Sequence, residues 1–161
     1  MDLQIRPFSD DDSEGVIQLS LRAWAPVFSS FEQVLGARIY TAIYSDWQRQ
    51  QRGVVERVCK DADGFTVYVA QVGETVAGFV AYTLNGEDQT GEVELLAVHP
   101  DYQNHGIGTE LNNFVLEKMR GSGARLAVVG TGGDPGHAPA RRSYEKAGYT
   151  ALPLVRYYKA L

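Results

Sequence analysis

Val93-Glu94-Leu95-Leu96-Ala97-Val98-His99-Pro100, followed by Gln103-Asn104-His105-Gly106-Ile107-Gly108, is the stretch on which the fold turns. An apolar strand runs into a tight glycine turn, and the turn opens a helix. Such a turn exposes several backbone N–H groups at the positive end of a helix dipole, a seat for a phosphate or pyrophosphate. A Walker loop needs Lys-Ser or Lys-Thr after its last glycine, and here Thr109 follows Gly108 directly. A dinucleotide fingerprint belongs near the first strand, whereas this loop lies deep in the chain. A purely structural turn has no need of Gln103 and two close glycines, yet that reading stays open at this point.

The surrounding pattern extends the reading. Upstream, Leu3 to Arg6 alternates and predicts a short first strand. Asp11 as N-cap with Glu14 three residues on opens a helix carrying Ile17, Leu21 and Trp24, and Pro26 is expected to stop it. A second helix is expected from near Phe31 through Val34, Leu35, Ile39 and Ile43, weakened at Gly36. A third should run from Trp47 to Cys59 with a bend at Gly53, ahead of the turn cluster Asp61-Ala62-Asp63-Gly64. Phe65, Val67 and Val69 alternate, Gly73-Glu74 turns, and Thr75 to Tyr82 returns as a hairpin partner. Gly91 to Val98 is the next strand.

Downstream, a helix from about Gly108 to Arg120 presents Leu111, Val115 and Met119 as one stripe. Arg125 to Val129 then predicts a strand parallel to the one before that helix. Gly130 to Gly136 reads as a flexible loop, Pro139 to Ala147 as a helix closed by Gly148, and Val155 to Lys159 as a last strand. The fold class is therefore α/β (α+β): a mixed sheet with antiparallel N-terminal strands, then a βαβα unit, with helices on both faces. No linker divides the chain, so residues 1–161 read as a single domain.

Composition narrows the function. The 161 residues include 20 acidic and 15 basic side chains, a net charge of -5, with no basic stripe for nucleic acid. That balance suits a cationic acceptor better than a polyanion. Cys59 is the single cysteine, which excludes an internal disulfide and favours a cytoplasmic protein. It has no histidine arrangement around it and reads as a passive thiol. The N-terminus lacks a signal-peptide pattern, and no apolar run is long enough for a membrane. Three histidines and scattered acids show no metal-ligand spacing, so no metal is expected.

Gln103-x-x-Gly106-x-Gly108, placed after Ala97-Val98-His99-Pro100, resembles the acetyl-CoA-binding motif of the GNAT superfamily of N-acetyltransferases. Ala140-Arg141-Arg142-Ser143-Tyr144-Glu145-Lys146-Ala147-Gly148-Tyr149 resembles the same family's Ala-x-x-x-Tyr-Glu-Lys-x-Gly-Phe helix, with Tyr149 in place of Phe. Motif-level matching covers about Glu92 to Tyr149, and the order of elements covers almost the whole chain. The resemblance implies a single N-acetyltransferase domain with acetyl-CoA as cosubstrate. Amides of Gln103, Asn104, His105, Gly106, Ile107, Gly108 and Thr109 would hold the pyrophosphate. The strand end Leu96-Ala97-Val98 would pair with the pantetheine arm, beside a parallel neighbour from which it splays.

The resemblance also proposes chemistry. Tyr144 matches the family tyrosine near the cofactor sulfur and is the candidate general acid. A phenol with a pKa of about 10 stays protonated at neutral pH. The other reading of Tyr144 is a core tyrosine packed on the sheet. Strand alternation puts Glu92 and Glu94 on one face with Leu96 and Val98, so either carboxylate could take the ammonium proton or simply line the cleft. His99 falls on the opposite face and packs or caps the loop. His137 stands where many members carry an asparagine that bonds pantetheine; it could do the same, or act as acid or base near pH 7.

The implied function is acetyl transfer to a primary amine of a small molecule or a protein, by direct attack. A GNAT enzyme using another acyl-CoA, or a non-catalytic acyl-CoA sensor, are the alternatives. Family members are often dimers, so a homodimer is an expectation of the resemblance. The aromatics Trp24, Phe28, Phe31, Tyr40, Tyr44 and Trp47 read mostly as core, with some available to wall an acceptor pocket.

Overall fold

The computed structural model describes residues 1–60 and 63–161, so part of the turn cluster at 61–64 lies outside the described residues. Five strands form one sheet in the order β1-β2-β3-β4-β5: β1 (Leu3–Pro7), β2 (Thr66–Val72), β3 (Thr75–Asn85), β4 (Thr90–Val98) and β5 (Leu126–Val129). The first four pair antiparallel, and β5 joins β4 in parallel. The mixed sheet and its crossover helix agree with the sequence pattern.

The helices divide between the two faces. α1 (Ser13–Tyr44) and α2 (Trp47–Cys59) cover one face, where Val16, Leu19 and Val55 pack on Val69, Phe79 and Ala97. α3 (Ile107–Gly121) covers the other, setting Ile107, Leu111, Val115 and Met119 against Val80, Tyr82 and Val93. Each such side chain contributes about 1.5–3 kcal/mol on burial. Gly91 is required by this contact, since a Cβ there would come within 2.6 Å of the Met119 side chain. α4 (Ala138–Lys146) follows β5 and is closed by Gly148 at φ 96°.

Four local expectations are corrected. Pro26 does not stop the first helix; it sits inside α1, and the break falls at Gly36, with φ 77° and ψ 160°. An interior proline costs about 3 kcal/mol, but buried Val27 and Ser30 carry the inward stripe past it. Gly36 alone can take the positive φ without a Cβ penalty. The first cap is built on Ser9 and Asp12 rather than Asp11 and Glu14: Ser9 N–H donates to Asp12 Oδ2 at 2.8 Å. α2 runs through Gly53 without a break.

The last correction concerns the C-terminus. Val155 to Lys159 forms no strand, and Leu152, Leu154, Val155 and Tyr157 are exposed. Arg38 Nη2 donates to Leu161 O at 3.1 Å, which ties the chain end to α1. Alternation marks a segment able to pair, but a strand also needs a neighbour to supply its hydrogen bonds.

β4 carries a bulge that bears on the site. Ala81 pairs with Leu95 but Tyr82 with Val93, leaving Glu94 as the extra residue. Side-chain parity reverses there. Val93, Leu96 and Val98 all pack in the α3 layer, whereas Leu95 and Ala97 pack in the α1–α2 layer. Glu92, adjacent to Val93, therefore falls on the α1–α2 side. For Glu92 the expectation of a face shared with Leu96 and Val98 is overturned, because simple alternation does not survive a bulge. Both carboxylates are exposed.

Candidate functional site

The sheet opens along β4. Its pairing with β5 runs from Thr90–Leu126 to Val93–Val129 and ends there, while β4 continues to Val98. His99 N–H donates to Ala77 O at 2.8 Å, so alternate residues 97 and 95 also turn their backbone towards β3. Leu96 and Val98 consequently turn theirs to the open edge. Gln103 Nε2 donates to Val98 O at 3.1 Å. The Gln103 side chain thus ties the glycine turn to the strand end.

The turn after β4 presents amides. His99 Nδ1 accepts from Asp101 N–H at 3.1 Å and caps the short helical turn Pro100–Tyr102. Asn104 and Gly106 both adopt positive φ, 64° and 84°. Gly106 is the N-cap of α3 and supplies no side-chain cap. The N–H groups of Ile107, Gly108 and Thr109 lie in the first turn, where a helix offers no internal acceptor. His105 is exposed, and its Nδ1 faces Gln103 O at 2.8 Å. A Cβ at Gly106 would meet no protein atom within 4 Å, so the turn is open on its outer side. At Gly108 a Cβ would stand 3.7 Å from Val98 Cγ2 and 3.9 Å from Ser143 Oγ, between the strand end and α4.

Tyr144 lies on α4 beside this turn. Burial, with a smaller contribution from the Tyr149 phenol, pushes its hydroxyl up to about 12. The two rings meet edge to face, with centroids 5.7 Å apart. Tyr149 OH is buried with no partner among the described residues. On α3, fully buried Asn112 donates through Nδ2 to Ser143 Oγ of α4 at 2.9 Å, while its Oδ1 has no partner among the described residues.

The glycine-rich segment after β5, expected to be flexible, is fastened to α1. Ser30 Oγ donates to Asp134 Oδ2 at 2.8 Å, and Gly136 N–H donates to the same oxygen at 3.0 Å. Asp134 Oδ1 bonds His137 Nδ1. Arg141 Nη1 donates to both Gly132 O and Asp134 O at 2.7 Å. Burial raises the Asp134 carboxyl, but the bonds from His137 and Ser30 outweigh it and hold the group below the usual carboxylate range. The His137 ring lies 5.6 Å from that of Phe31 on α1. Sequence reading singled out His137 but missed Ser30, Asp134 and Arg141. An Asp three residues before a His, in a loop crowded with glycine, was the available signal.

Aromatic side chains continue this wall. Phe28 stacks on Trp47 at 4.4 Å, and Phe31 on Tyr44 at 5.1 Å. Tyr40 tilts against Tyr44, and Trp24 packs with the α1–α2 core. Cys59 belongs elsewhere: burial pushes its thiol up to about 11, as a passive thiol requires. No helix among the described residues is long and apolar enough to cross a membrane.

Comparison with known proteins gives the architecture its place. Mycothiol acetyltransferase of Streptomyces bingchenggensis is 29% identical over 99 residues, covering 62% of this chain and 31% of that protein. The chain spans less than half the length of the curated relatives it matches. Among solved structures, a GNAT-family protein from Desulfovibrio desulfuricans superposes with a TM-score of 0.72 at 22% identity, over 94% of this chain and 87% of that one. A GNAT-family acetyltransferase from Brucella melitensis, solved with acetyl-CoA, gives 0.65 at 24% identity, over 93% and 84% of the two chains. Residues 29–149 match the sequence model of the acetyltransferase (GNAT) family. With that match spanning both the splayed β4 edge and the Tyr144 helix, the chain belongs to the GNAT acetyltransferase family.

Proposed function

We propose that residues 1–161 act as one N-acetyltransferase domain, moving the acetyl group of acetyl-CoA to a primary amine of a small molecule or a protein. The open edge of β4 carries this reading. Five residues, Glu94 to Val98, run past the last β5 pair and lead to the turn where the first N–H groups of α3 open. The relative from Brucella melitensis was solved with acetyl-CoA, and its fold is the one found here.

The residues present fit the group. Amides from Gln103 to Thr109 would receive the pyrophosphate, and the open turn at Gly106 leaves room for it. Backbone groups of Leu96 and Val98, with Ala97 between them, would pair with the amides of the pantetheine arm. Bound acetyl-CoA supplies an acyl thioester that is already activated, so the protein needs to orient, polarise and move protons.

Tyr144 would donate its proton to the departing sulfur. With its hydroxyl near 12 it is fully protonated at neutral pH. Glu92 and Glu94 would draw a cationic amine to the cleft, in keeping with the net charge of -5. The single cysteine supports a cytoplasmic setting. Thiol release from acetyl-CoA over a panel of polyamines, aminoglycosides, amino acids and peptide amines tests the reading. Turnover is expected with at least one class. Tight acetyl-CoA binding with no turnover on any amine would favour a sensor, and no binding would remove the reading altogether.

A further inference from the structure

We propose that His137, held by Asp134, is the general base that takes the proton of the acceptor's ammonium group. The inference rests on the acetyltransferase reading and goes beyond it, since that reading names no proton acceptor.

Three observations carry it. First, the mount is built for one imidazole. Asp134 and His137 side chains are only 10% and 16% exposed. Every polar atom of the Asp134 carboxylate is engaged: Oδ1 by His137, Oδ2 by Ser30 Oγ and Gly136 N–H. Second, glycines close the loop around the pair. A Cβ at Gly132 would overlap Asp134 Oδ1 and come within 2.5 Å of His137 Nδ1. A Cβ at Gly136 would come within 2.7 Å of Ser30 Cβ. Arg141 fixes the same loop through two carbonyls. Third, the tautomer follows from charge. An ionised carboxylate only accepts, so Nδ1 must donate, and in the neutral ring Nε2 is then the nitrogen that accepts. Nε2 bonds no other described residue and is not sealed from solvent.

The place in the fold suits the role. The loop leaves the end of β5 where the sheet opens and crosses to α1, whose Ala23 and Trp24 belong to the same hydrophobic layer as Leu95 and Ala97 of β4. His137 is the N-cap of α4 and Tyr144 lies seven residues on, within that helix, about 10 Å away at helical rise. The acid would thus stand on a short helix and the base at its N-terminal end. Asp134 and Phe31 face His137 directly; behind them, Ser30 and Arg141 bond Asp134, and Tyr44 stacks on Phe31. In the step, the ammonium proton passes to Nε2. The freed nitrogen lone pair forms the amide bond as the thioester bond breaks, and the sulfur takes the Tyr144 proton. The imidazolium, balanced by Asp134, returns its proton to solvent.

His137→Asn is the decisive variant, because it retains a side chain able to bond the pantetheine arm but cannot take a proton. Using the amine that wild type turns over fastest in the panel above, kcat should fall about 100-fold. The acetyl-CoA Kd should stay within about threefold, and the acidic limb of kcat/KM against pH should vanish. His137→Gly should regain part of its turnover with added imidazole. Asp134→Asn should follow His137→Asn in kcat, whereas Glu94→Gln should raise KM and keep the acidic limb. Wild-type turnover by His137→Asn, or loss of the limb in Glu94→Gln instead, overturns the proposal while leaving the acetyltransferase reading intact. A wild type inactive on every amine overturns both.

Discussion

The two sides of the open cleft are built on different principles. On the β4 side the groups proposed to meet the ligand are backbone amides, and the Gln103 side chain ties the turn down to Val98. On the α1 side the proposed working groups are side chains, and the contact that mounts them joins Ser30 to Asp134, 104 residues apart. A backbone seat needs a local pattern of glycines, strand and helix start. A side-chain mount needs the whole fold before its parts meet.

That contrast can be broken from either side. The largest effect is expected at Gly106. Gly106→Val puts a β-branched residue at φ 84°, a strain of about 1–3 kcal/mol, and blocks close approach to the turn. Acetyl-CoA affinity should fall at least about 100-fold by calorimetry, equivalent to about 2.8 kcal/mol. An affinity within threefold of wild type would show that the amides are not the seat.

Next comes Tyr144→Phe, which removes the proposed proton donor and little else. Turnover should fall about 100-fold with acetyl-CoA affinity nearly unchanged. Unaltered turnover would return Tyr144 to a packing role.

Gly132→Ala tests the opposite wall without touching the cofactor turn. The added methyl would overlap Asp134 Oδ1 and crowd His137 Nδ1, so kcat should drop about tenfold or more while acetyl-CoA binding persists. Equal loss of binding and turnover would mean that the two walls are not separable.

The smallest effect concerns stability rather than chemistry. Asp12 is buried and accepts from Arg6 at 2.8 Å on both oxygens; that pairing, with help from Ser9, holds its carboxyl below the usual range. A depressed folded pKa means that the contribution is fully present above the unfolded carboxylate value of about 3.9 and is lost as pH falls through the lower folded value. Asp12→Asn should cost about 1–3 kcal/mol at neutral pH, and the gap to wild type should narrow in denaturation curves as pH falls below the unfolded carboxylate value of about 3.9. A gap independent of pH would assign the cost to packing.

The same contrast explains what could be read before the fold was known. The glycine turn, its strand and the Tyr144 helix were legible because each is a short contiguous pattern with a local cause. The α3 stripe Leu111-Val115-Met119 was legible for the same reason. The bulge at Glu94 was not, since nothing in alternating Val93 to Val98 marks an extra residue against β3. Pro26 misled because packing through Val27 and Ser30 outweighs its local cost. Val155 to Lys159 misled because alternation records capacity to pair, not the presence of a partner. The Ser30–Asp134–His137 mount was half visible: the histidine stood out by position, but its partners had no motif.

Calorimetric titration of the wild type and Gly106→Val with acetyl-CoA, side by side, tests the central claim most directly. The account predicts saturable binding to the wild type and none to the variant at the same concentrations, with both unfolding cooperatively. A wild type without heat or thermal stabilisation, or a variant that binds as tightly as the wild type, would contradict it.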